Sequence, residues 1–146
     1  MSSPRSIRFE DDTISRLAAF ASRRPGITSA SAAARFVEEG LRMDAHPGVV
    51  FRDGAAGRRA VVIGGPDVWE AVRAVQLTRR AQPKLKGAAA LAAVMQNTGL
   101  RGDVIETALD YYSAFPDEID ARIAQESALE SELSRALAQR AHLLGA

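Results

Sequence analysis

Of the residues whose type and spacing suit them to chemistry, Ser6 and Arg8 stand first, because they alternate with apolar neighbours in the run Arg5-Ser6-Ile7-Arg8-Phe9. Successive side chains of a strand point to opposite faces, so Ile7 and Phe9 share an apolar face while Ser6 and Arg8 share a polar one. The chemistry this suits is recognition. A two-stranded ribbon fits the major groove of B-DNA, where a side chain such as Arg8 reaches base edges. A lone strand of this length leaves its backbone groups unpaired, and the simplest partner is its own copy in a second subunit.

Catalytic arrangements have little support. The two histidines, His46 and His142, lie far apart in unlike settings, so neither a metal pair nor an acid–base dyad is indicated. Asp117, Glu118 and Asp120 cluster as magnesium ligands do, but they fall at a helix start, where carboxylates are favoured without any metal. Gly64-Gly65-Pro66-Asp67 lacks the Lys-Ser/Thr of a phosphate-binding loop and the spaced glycines of a dinucleotide site. Cysteine is absent, which removes disulfides, thiolate nucleophiles and cysteine-ligated metals. The expectation is a protein that is not an enzyme and has no cofactor, metal site or catalytic residue.

The elements that must position Ser6 and Arg8 follow directly. Helical patterns run over Asp12 to Arg24 and Thr28 to Met43, separated by the Pro25-Gly26 break. Asp11 and Asp12 place negative charge at the first helix N-terminus, and Thr28 or Ser29 is a suitable N-cap for the second. The unpaired N–H groups at that second start also suit a phosphate.

With strand, acidic helix start, Ile14, Leu17 and Phe20, the Pro25-Gly26 break, Thr28-Ser29, and Phe36, Val37 and Leu41, the first 44 residues resemble the ribbon-helix-helix family of small bacterial repressors and antitoxins. The resemblance implies base reading by the outward strand residues and phosphate holding at the second helix start. Those roles fall on Ser6 and Arg8, and on Thr28 and Ser29, with Arg5 beside them as a further DNA-binding candidate. One departure is the small-residue run Ala30-Ser31-Ala32-Ala33-Ala34, which leaves a thin dimer core.

Beyond residue 45, Val49-Val50-Phe51 and Ala60-Val61-Val62-Ile63 flank a loop carrying Gly54 and Gly57, which predicts a β-hairpin. Asp67 then caps a helix running to about Arg80, and two more helices, Ala88 to Thr98 and Asp103 to Phe115, join across Gly99-Leu100-Arg101-Gly102. Helix, short glycine turn, helix is helix-turn-helix grammar, with the hairpin placed as a wing. On His46-Pro47-Gly48-Val49-Val50-Phe51, Gly57-Arg58-Arg59-Ala60, Gly65-Pro66-Asp67-Val68-Trp69-Glu70, Ala108-Leu109-Asp110-Tyr111-Tyr112 and Glu118-Ile119-Asp120, residues 46 to 123 look like the uncharacterised bacterial domain family numbered 433. That family is regarded as antitoxin-like with a winged helix-turn-helix fold.

Charge divides unevenly along a chain whose formal net charge is only +1. Residues 1 to 60 carry 10 Arg/Lys against 7 Asp/Glu, residues 61 to 102 carry 6 against 2, and residues 103 to 146 carry 3 against 9. A basic front suits a polyanion, whereas an acidic tail must face solvent or another protein. Asp103, Glu106 and Asp110 put a carboxylate stripe on the would-be recognition helix, so DNA reading is assigned to the N-terminal ribbon. Arg58 and Arg59 stand as candidates for added phosphate contacts, with Arg79, Arg80, Lys84 and Lys86 as either further contacts or solvated surface.

Pro116 to Leu144 reads as one long helix with the stripe Ile119, Ile123, Leu129, Leu133, Leu137 and Leu144. So long a helix needs cover, from its own domain, from a second copy, or from a basic, RNA-cutting partner whose groove it fills. The irregular intervals of the stripe do not hold a clean heptad.

The fold expected is mainly α with short β, in three segments: 1–44 for ribbon-helix-helix DNA binding and dimerisation, 45–116 for a winged helix-turn-helix-like domain, and 117–146 for the amphipathic helix. No run of roughly 18 apolar residues and no signal-peptide pattern is present, which predicts a cytoplasmic protein without membrane contact. The function expected is a homodimeric or larger antitoxin and transcriptional repressor of a toxin–antitoxin operon, binding double-stranded operator DNA and a toxin of the ribonuclease class. The alternative is a protein-interaction or scaffold module without specific DNA binding.

Overall fold

The computed structural model describes residues 5–145, and among them the protein is mainly helical with one small antiparallel sheet. The chain divides into two compact units, one ending at Ala45 and one beginning at His46.

The first unit is a helix pair. Helix α1 (Asp11–Ser22) opens with Asp11 and Asp12 in its first turn, where the helix dipole favours carboxylates. It stops before Gly26, whose φ of 81° turns the chain back in a conformation costly for other residues. Helix α2 (Ser29–Ala45) is capped by Thr28. The Ser31 backbone N–H donates to Thr28 Oγ1 at 3.1 Å, and the Thr28 N–H donates to Ser31 Oγ at 3.0 Å, so two orphan donors are satisfied reciprocally. Phe20 meets Phe36 edge to face at 4.9 Å, and the Arg24 guanidinium lies 3.8 Å above the Phe20 ring.

The second unit begins with the hairpin. Strand β1 (Val49–Gly54) pairs antiparallel with β2 (Gly57–Val62), Val49 opposite Val62 and Asp53 opposite Arg58. Its inward valines pack on α3 (Val68–Ala81), and α4 (Gly87–Thr98), α5 (Gly102–Ala114) and α6 (Pro116–Leu143) follow. The Asp67 N–H donates to Glu70 Oε2 at 3.0 Å, closing a capping box on α3. Gly99 ends α4 in the left-handed region at φ 72°, and Pro116 separates α5 from α6 as the first residue of the last helix. The core gathers Val49, Val62, Val68, Val72, Val104, Ala108 and Tyr111, closed by Ile119. Gly65 is obligatory for close packing, because a Cβ there would stand 2.7 Å from Val104 Cγ1.

One expectation is narrowed at this level: the C-terminal helix, set apart as residues 117–146 with its cover left open, packs on α3 and α5 and belongs to the second unit. The run Ser6 to Phe9, expected as a strand once paired with a second copy, forms neither helix nor strand in the single chain, where the hairpin is the one sheet among the described residues. The physical reason is that a strand needs a hydrogen-bonding neighbour, and none of the described segments of the chain supplies it.

Candidate nucleic-acid interface

Residues 5–10 lead into α1, and Glu10 has the extended backbone of an N-cap, φ −62° and ψ 149°. Arg5, Ile7 and Phe9 line a shallow groove of about 480 Å3 together with Ala30, Ala33, Ala34 and Val37 of α2. The small side chains of α2 leave this space open, as the alanine run implied. Ile7 and Phe9 therefore share one side with the apolar face of α2, as the alternation required. Arg5 lies on that side as well, which separates it from Ser6 and Arg8 although all three are DNA-binding candidates. Ser6 and Arg8 are exposed.

The apolar side of this unit is uncovered. Ile7 is 67% and Leu41 is 63% exposed, and Ile14, Phe36 and Val37 stand about half open. Helix α1 buries no residue at all, and of α2 only Ala32 and Glu39 are buried. So many large apolar side chains on a 45-residue unit exceed what a soluble monomer of this size normally shows.

At the start of α2, Thr28 is committed to its cap by hydroxyl and N–H alike. Ser29 is exposed at the first turn beside it. Of the two residues expected to hold a phosphate, only Ser29 presents groups the cap does not use.

The second unit places its candidates differently. Arg58 pairs with Asp53 across the hairpin at 3.4 Å. Arg59 pairs with Asp67 at 2.8 Å and also donates to the Asp53 carbonyl, and Trp69 Nε1 donates to the same Asp67 carboxylate at 3.2 Å. Both guanidiniums thus serve the hairpin and its seam with α3, and their charge is offset where they stand. They line a cleft of about 280 Å3 with Trp69, Ile119, Arg122 and Gln125. Arg122 there pairs with Glu126 at 2.8 Å and donates to the Ala56 carbonyl, so each of the three cations faces a carboxylate.

On α5, Glu106 and Asp110 are exposed, and Asp103 is held below the usual carboxylate range by its hydrogen bonds from Arg101. The helix that helix-turn-helix grammar would send into the groove therefore presents negative charge. The acidic cluster at the start of α6 is split between tyrosines: Tyr111 donates to Glu118 at 3.1 Å and Tyr112 donates to Asp120 at 3.0 Å. His46 lies against the rings of Tyr111 and Phe115 at 5.3 and 5.8 Å, as a packing residue. Among the described residues no group of three His, Asp or Glu is arranged to hold a metal ion, and no helix is long and apolar enough to cross a membrane.

The stripe expected to bind a partner is divided by the fold. Ile119 is buried in the core of its own unit and Ile123 is half-buried against it. Leu129, Leu133 and Leu137 are exposed. The Asp67 hub joining Arg59 to Trp69 escaped the sequence reading, because it depends on the hairpin bringing β2 back to the start of α3.

No family model, curated protein or solved structure matches this chain.

Proposed function

We propose that the protein is a DNA-binding homodimer that acts as antitoxin and repressor of a bacterial toxin–antitoxin operon. Residues 6–9 of two copies pair as a ribbon, Ile7 and Phe9 close onto the α2 faces, and Ser6 and Arg8 point into the major groove of the operator. The N-terminus of α2, through Ser29, sits against a phosphate. The observation that carries this reading is the uncovered apolar side of the first unit, with Ile7 beside Val37 and the small residues of α2. A second copy of the same surface covers it with like residues, which a self-complementary dimer interface requires.

The second unit takes the protein partner. Its exposed carboxylates, Glu106 and Asp110 on α5 and Asp117 and Asp120 on α6, suit a basic protein such as an RNA-cutting toxin and repel a phosphate backbone. A cytoplasmic location is part of the same proposal.

The test is binding of the full chain to the DNA just upstream of its own start codon, at about 150 mM salt, beside the Arg8→Ala variant. Loss of a base contact costs on the order of 1–3 kcal/mol and relaxes sequence preference, whereas loss of a phosphate contact weakens all sequences alike. Equal binding by both proteins removes the ribbon from the model. Absence of any salt-sensitive binding turns the reading toward a protein-interaction module without DNA.

A further inference from the structure

Helix α6 leaves its own domain halfway along. Its first half is seated by Ile119, Ile123 and the bidentate Arg73–Glu130 pair at 2.6 and 2.7 Å. From Ala128 to Arg140 every residue is exposed. At 100° per residue, Leu133, Leu137 and Leu144 continue the same face that Ile119 and Ile123 bury further back. The uncovered stripe is thus the continuation of a face already used for packing.

The occupant is indicated by the order of charge. Residues 127–132 carry Glu130 and Glu132 and no cation, whereas residues 133–144 carry Arg135, Arg140 and His142 and no carboxylate. The exposed half therefore has no excess negative charge with which to attract a basic partner. Glu130, Leu133, Leu137, Arg140 and Leu144 fall at alternating spacings of three and four, the a/d seam of a coiled coil that the leucines alone do not complete. With two copies antiparallel and centred near residue 135, Leu133 of one faces Leu137 of the other, and Arg140 of one comes level with Glu130 of the other, whose carboxylate Arg73 of its own chain already holds. In parallel alignment the same seam sets Arg140 on Arg140, a like-charge contact that the antiparallel pair avoids. Ser127, Ser134 and Ala141, which flank the seam, are small enough to let two helices approach closely.

We infer that the exposed half of α6 binds a second copy of itself, antiparallel, as a self-association site separate from the N-terminal ribbon. A chain with two such sites links DNA-bound dimers to one another.

The test uses the full chain, which contains no cysteine of its own, so an introduced thiol is unique. Ala136→Cys and Leu129→Cys occupy equivalent positions one heptad apart beside the seam. In the antiparallel pair the two copies of position 136 lie about 3 Å apart along the axis, and the two copies of position 129 about 18 Å apart, at about 1.5 Å per residue. Mild oxidation is expected to give disulfide-linked dimers of the Ala136→Cys protein and none of the Leu129→Cys protein. Adding Leu133→Lys and Leu137→Lys to Ala136→Cys abolishes the link. Cross-linking at both positions, at neither, or undiminished by the lysines overturns the proposal. The outcome does not depend on Arg8 or on DNA, so failure of the ribbon reading leaves it intact and the reverse also holds.

Discussion

Arg8 and Arg59 carry the same guanidinium to opposite uses. Arg8 is exposed on a segment with no strand neighbour of its own, while Arg59 holds a carboxylate that also accepts from an indole. Replacing Arg59 by alanine leaves Asp67, whose side chain is only 15% exposed, with one fewer charged donor at the seam between β2 and α3. A hydrogen bond to a charged group contributes roughly 1.5–3 kcal/mol, and Arg59→Ala is expected to destabilise the protein by that order. Urea denaturation followed by circular dichroism measures it, and a midpoint equal to the parent's counts against the structural role. The variant should keep its DNA sequence preference, in contrast to Arg8→Ala, which should keep its stability. The sequence placed Arg58 and Arg59 among candidate phosphate contacts because basic pairs are read as surface until their partners are known. Asp53 becomes a partner only through the hairpin register, and Asp67 only through the packing of α3.

At the scale of elements, helices and hairpin were legible because their punctuation is local: Asp11-Asp12, Thr28, Gly54 and Gly57, Asp67, Gly99 and Pro116 mark boundaries without reference to the rest of the chain. The run Ser6 to Phe9 is legible as an alternation but forms no strand among the described residues of the single chain, and under the proposed function it becomes one only by pairing with a second copy. For α6 the sequence gives an amphipathic stripe and no indication of where the domain stops covering it; Arg73, 57 residues before Glu130, decides that point. The Arg73 hydrogen bond holds the Glu130 carboxyl below the usual range. A carboxylate depressed on folding stabilises the folded form above its unfolded pKa, and that contribution fades as pH falls through the depressed value. Acidification below the ordinary glutamate range should therefore loosen α6 beyond Leu129. Glu130→Gln reproduces the change at neutral pH, read as faster amide hydrogen exchange from Leu129 onward; unchanged protection there would mean that the ion pair does not anchor the helix.

For the whole molecule, the two units differ in what they need. The second has a core of its own, centred on the fully buried Tyr111. The first exposes Ile7, Ile14, Val37 and Leu41 and buries little else than Ala32 and Glu39, so the proposed dimer predicts that its folding depends on association. Its melting temperature should rise with protein concentration, and Leu41→Ser should lower it at every concentration. A transition that ignores a hundredfold dilution would sink the dimer. The division has a spectroscopic side. The only tryptophan, Trp69, and both tyrosines, Tyr111 and Tyr112, lie in the second unit, and the indole N–H is bonded to Asp67. Intrinsic fluorescence therefore watches the second unit alone, while far-ultraviolet dichroism sums the helices of both. Recorded on one sample, the two signals separate the transition of the first unit from that of the second without any label.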